Sequence, residues 1–112
     1  MSYKNAAKFD TLRSVAFGSL TTSYVQIGAA LPSPCVAITF KNTTNGLILV
    51  STDGINDMLV YPAQSYGVYD IRTNAPLATD YLIPSNTPLL VKYSGIAPNI
   101  GSFYIEAVIV KV

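Results

Sequence analysis

Turn-forming residues cut this chain into pieces short enough for strands and little else. Gly, Pro, Asn, Ser and Thr recur roughly every eight to twelve residues, and between them lie short runs rich in Val, Ile, Tyr, Phe and Thr. β-Branched and aromatic side chains suit a pleated, half-buried surface. No segment shows a sustained apolar repeat at helical spacing. The rhythm predicts an all-β fold, an antiparallel β-sandwich or jelly roll of about eight short strands.

The strands can be placed in order. Residues 11–17 and 23–28 come first, and Pro32 and Pro34 then bracket a bend, since each lacks a backbone donor. Residues 35–41 show the cleanest alternation, with Val36, Ile38 and Phe40 on one face and Ala37, Thr39 and Lys41 on the other. Residues 42–46, ending in Asn45-Gly46, read as a hairpin turn that returns residues 47–52 against the preceding strand. Residues 53–57 form a second tight turn, followed by strands at 58–61 and 66–71. A looser stretch runs from 72 to 88, with a short strand expected at Tyr81-Leu82-Ile83. Residues 89–93 and 103–112 complete the set. Residues 1–10 read as an amino-terminal arm and 11–112 as one sandwich domain. A chain of 112 residues buries roughly two-thirds of its unfolded surface, enough for a core without disulfides or metal.

Charge is scarce. Charged residues make up 12% of the chain against roughly 25% in an average soluble protein, and the net charge is +1. Nothing in that balance marks a nucleic-acid groove or an anionic membrane surface. Low charge suits a chain that spends its life packed on another protein, where its contact faces are out of water. No apolar run approaches the roughly 18 residues of a membrane helix. The amino terminus carries charge where a signal peptide needs an apolar core, so synthesis in the cytoplasm is expected. Cys35 is the single cysteine, so no internal disulfide can form; it reads as a small buried apolar residue.

Catalytic constellations are missing. The chain has no histidine, which removes Ser–His–Asp and Cys–His arrangements and the ordinary zinc and iron sites. No enzyme activity, cofactor or metal is therefore expected. Asp53 and Asp57 are close in sequence, but both lie on a turn, where aspartates accept bonds from local amides. That loop offers oxygens a calcium ion would accept, yet it lacks the spacing of an EF-hand, and a metal-free turn is the preferred reading.

Two features point to contact instead. Tyr61, Tyr66 and Tyr69 cluster within one segment, and tyrosine is favoured both at interfaces and in ordinary strands. In the closing run, Phe103, Ile105, Ala107 and Ile109 face one way. Tyr104, Val108, Val110 and Val112 face the other, broken only by Glu106. Such a strand is buried on both faces or paired at its edge; its own arm or loop, or another subunit, could supply the cover.

The segments Ile38-Thr-Phe-Lys-Asn-Thr-Thr-Asn-Gly46, Val50-Ser-Thr-Asp-Gly-Ile-Asn-Asp57, Tyr61-Pro-Ala-Gln-Ser-Tyr-Gly-Val-Tyr-Asp70 and Gly101-Ser-Phe-Tyr-Ile-Glu-Ala107 look like those of small tailed-phage virion proteins. Size and strand rhythm resemble the jelly-roll decoration (cement or staple) proteins of short-tailed bacteriophage capsids. The resemblance spans roughly residues 12–110 and implies a structural protein on the outer capsid surface of the virion. It also implies docking on the major capsid protein, capsid stabilisation and a homo-oligomer, with a homodimer preferred to a trimer. Expected contacts are the arm (Tyr3, Lys4, Lys8, Phe9) and the closing strand (Tyr104, Val108, Val110, Val112). The alternative is a receptor- or glycan-binding module of a head fibre or tail, using the Tyr61–Tyr69 region.

Overall fold

A computed structural model describes residues 7–70 and 83–110 of the chain. The strands are β1 (Ala7–Phe9), β2 (Arg13–Ala16), β3 (Val25–Gln26), β4 (Cys35–Asn42), β5 (Leu47–Ser51), β6 (Leu59–Tyr61), β7 (Ser65–Asp70), β8 (Leu90–Ser94) and β9 (Ser102–Val110). A single 3₁₀ turn at Phe17–Ser19 is the only helical element among the described residues. One sheet has the order β1-β9-β4-β7, with β2 also on β9, and the other has the order β3-β8-β5-β6. Every pairing is antiparallel.

β1 and β2 share one side of β9. Ala7–Phe9 lies against Val110 to Val108, and Arg13–Ala16 against Ile105 to Ser102. They therefore occupy one strand position, which leaves eight positions in two four-stranded sheets. From β2 onward the chain changes sheet at every connection except β5–β6. That is the jelly-roll path of the expected β-sandwich, and it closes a hydrophobic layer between the sheets.

The inward residues make that layer. β9 supplies Phe103, Ile105, Ala107 and Ile109, β4 supplies Ile38 and Phe40, and β5 and β8 supply Ile48, Val50 and Val91. Phe40, Tyr61 and Phe103 form an aromatic cluster with ring centroids 5.5–6.4 Å apart. Rings at such distances add to the area they bury.

Two local expectations are corrected. Residues 42–46 do not close a hairpin: β4 pairs with β7 and β9, whereas β5 pairs with β6 and β8 in the other sheet. The segment is a corner between sheets, and Gly46 is not among the residues with positive φ. The alternation of β4 is also imperfect. A bulge between Cys35 and Ala37 puts both Cys35 and Val36 out of solvent. Of the strand expected at residues 81–83, Tyr81 and Leu82 lie outside the described residues, and Ile83 bridges Cys35.

Candidate interaction surface

The first sheet turns one face to the core and the other outward. Its registers align the outward side chains in rows: Tyr66, Lys41 and Tyr104 in one, Val68, Thr39 and Glu106 in the next, and Asp70, Ala37, Val108 and Phe9 in the third. Phe9 (84% exposed), Tyr66 (73%), Val68 (63%) and Leu12 (56%) stand well into solvent. Tyr104, Val108 and Val110 lie among them half-buried. The charges near the middle of this face answer each other, Lys41 Nζ lying 2.8 Å from Glu106 Oε1. Both side chains are about half exposed, so the pair adds little stability, about 0–1 kcal/mol. What it does is neutralise the charges at the middle of the face, and most of the rest, Asp70 apart, is apolar.

Four of the contacts expected from sequence come together here. Phe9 sits opposite Val108, with Tyr104 and Val110 along the same face of β9. Lys8 is exposed but opposite inward-facing Ile109, so it turns to the other side of the sheet. Tyr3, Lys4 and Val112 lie outside the described residues. Leu12 and Val68 were not singled out by sequence reasoning. For Val68 a signal existed, because the period-2 pattern of residues 66–70 places Tyr66 and Val68 on one face and Gly67 and Tyr69 on the other.

The closing strand owes its double apolar character to its position. β9 has β4 on one side and β1 and β2 on the other, so both edges are paired within the chain. Its inner side chains are fully buried and its outer ones, the exposed Glu106 apart, are half-buried by neighbours. The arm and β2 supply the cover that the sequence left open between chain and partner.

Among the clustered tyrosines, Tyr61 belongs to the core at 4% exposure. Its hydroxyl donates to that of Tyr69 at 3.2 Å, and burial above all raises its pKa. Tyr66 is the one that projects freely. Beneath Tyr69 an apolar cavity of about 250 Å³ opens between the sheets, walled by Ile38, Phe40, Val50, Leu59 and Ile83.

The two turn carboxylates do different jobs. Asp53 Oδ1 accepts from the amides of Ile55 (2.8 Å) and Asn56 (2.9 Å) and from the Ser51 hydroxyl (2.8 Å), while Oδ2 accepts from Asn56 Nδ2 (2.8 Å). The Asn56 and Ile55 amides, foremost, hold its pKa well below the usual carboxylate range. Asp57 instead accepts from the Tyr24 hydroxyl and lies 3.3 Å from Lys92 Nζ, which also sits 4.6 Å over the Tyr24 ring. These contacts tie the β5–β6 turn to β8 and the segment before β3. Among the described residues no three of Cys, Asp and Glu gather as metal ligands would. Cys35 is fully buried, its thiol donates to the Ala37 carbonyl at 3.1 Å, and desolvation pushes its pKa up. A buried, protonated thiol is a poor nucleophile.

The chain matches no protein-family model, no curated protein and no solved structure.

Proposed function

We propose that this protein is a structural component of a phage particle, a decoration protein that binds the outside of the capsid shell and braces it. The observation that carries the reading is the outward face of the first sheet, where Phe9, Leu12, Tyr66 and Val68 are exposed around a self-neutralised ion pair. Low overall charge, the jelly-roll path and the likeness of the four quoted segments to small virion proteins support it. The mechanism is adhesive. Apolar surface removed from water contributes roughly 25 cal/mol per Å² before the costs of association. A subunit that binds only the assembled shell shifts the shell away from dissociation by mass action.

The test is occupancy on shells stripped of this protein and then incubated with it. Phe9→Ser together with Leu12→Ser should leave the β-sheet circular dichroism intact. It should weaken each contact by at least about tenfold, since burying one such side chain fully is worth roughly 1.5–3 kcal/mol. Full occupancy by the folded double variant would refute docking through this face.

A further inference from the structure

The register of the first sheet reveals which backbone groups β7 leaves open. The Thr43 N–H donates to the Ser102 carbonyl at 2.9 Å, in continuation of the β4–β9 register. Along an antiparallel strand, successive residues send their N–H and C=O to alternate sides. Odd-numbered residues from 37 to 43 therefore face β9, and the even-numbered ones face β7. The β7 partners of Ile38, Phe40 and Asn42 are Tyr69, Gly67 and Ser65. Tyr66 and Val68 consequently turn their backbone groups away from β4, and among the described residues no strand pairs on that side.

Sheet edges are templates for pairing, and proteins blunt them with brevity, lysine, proline or bulges. The other outer strands show such devices. β3 has two residues, β1 has three including Lys8, β2 beside it has four, and β6 has three and runs directly into Pro62. β7 has six residues, no lysine or proline, and a regular register with β4. Its outward side chains are Tyr66, Val68 and, at its end, Asp70, with Tyr66 and Val68 both more than half exposed.

We infer that β7 pairs with β7 of a second copy, antiparallel about a two-fold axis at Gly67, so that the two first sheets become one. A two-fold normal to the sheet keeps outward faces together, so each residue must meet one of its own parity. With Gly67 opposite its copy, Tyr66 lies opposite Val68 of the second copy, and the two pairs exchange four N–H···O=C bonds. Aromatic and β-branched residues are favourable cross-strand neighbours. Asp70, the one charge on β7, falls three positions from the axis, so the two copies of it stand roughly 20 Å apart along the strands. That exceeds the screening length of about 8 Å at physiological salt. The strand thus meets its own copy without repulsion. Self-pairing uses the backbone edge of β7, whereas Phe9 and Leu12 lie toward the opposite margin of the sheet, so Phe9→Ser with Leu12→Ser can abolish shell docking while the dimer persists.

Sedimentation of the isolated protein from low micromolar to near-millimolar concentration tests this, with amide hydrogen exchange recorded at both ends. Rising concentration should convert monomer to dimer and slow exchange at the Tyr66 and Val68 amides. Val68→Pro should abolish the dimer while leaving the β-sheet signal unchanged, because the Val68 N–H bonds to nothing on β4. If that variant fails to fold, Val68→Lys keeps the N–H, adds an edge charge and should lose the dimer instead. A protein that stays monomeric throughout overturns the inference. So does a dimer whose Val68 amide exchanges as fast as in the monomer, or one that persists in either folded variant.

Discussion

Replacing Asn42 with alanine should cost this fold more than any exposed substitution. Asn42 ends β4 at the corner between the sheets and is 2% exposed. Its Oδ1 accepts from the Thr44 amide at 2.9 Å and the Thr44 hydroxyl at 2.6 Å. Its Nδ2 lies 2.9, 2.9 and 3.0 Å from the carbonyl oxygens of Gly46, Tyr61 and Pro62. Two amide hydrogens serve those three carbonyls, so one is shared. The side chain thus makes about four bonds, two donated and two accepted, at roughly 1 kcal/mol net each. Alanine also strands their partners in a site closed to water, so a loss of about 4 kcal/mol is a conservative expectation. A chain of this length has about 6–17 kcal/mol of stability in all. The Tm should fall by roughly 15–25 °C. Urea unfolding followed by circular dichroism and tyrosine fluorescence measures the change; the chain has eight tyrosines and no tryptophan to obscure them. Asn42→Asp sharpens the test, because it replaces the donor with an anionic oxygen aimed at three carbonyls. It should be worse than alanine at neutral pH and recover partly in acid, where the carboxyl can donate again. A loss under about 1 kcal/mol for Asn42→Ala, with the urea dependence unchanged, would refute the reasoning.

Asp53 should make stability depend on acid. Its folded pKa lies below the ordinary value of 3.8, so its contribution is complete above that pH and drains away as pH falls toward the folded value. Moving from about pH 6 to about pH 2.5 should lower the urea midpoint more in the wild type than in Asp53→Asn, and equal shifts would sink the idea. Cys35 should be inert to a thiol reagent in the native protein, since it is fully buried with a raised pKa, and should label at once in urea. Prompt native labelling would show that the β4 bulge opens readily.

Local features of the fold were legible because their causes are local. The period-2 pattern of residues 37–41, past the bulge, and the turn chemistry of residues 53–57 each depend on neighbours in sequence. Asp53 satisfies its own turn much as a turn aspartate should. Parts of the interaction surface were legible for the same reason: outward Tyr104, Val108 and Val110 follow from alternation along one strand. Leu12 was not, because it lies between β1 and β2 in no strand of its own, and only the folded sheet shows it 56% exposed.

Sequence alone thus determined the all-β class, the strand spacing, the absence of histidine chemistry and the inner face of β9, each a matter of residue type and period. Tertiary structure decided which strands meet. Asn42 to Gly46 resembles a hairpin in sequence, yet it is a corner, because β4 pairs with β7 and β9 while β5 pairs with β6 and β8 in the other sheet. The closing strand looked in need of a partner and found one in the first residues of its own chain, about a hundred positions away. Such pairings are chosen by the packing of whole sheets. No short window of sequence carries that choice, and among the described residues it also leaves the far side of β7 unpaired.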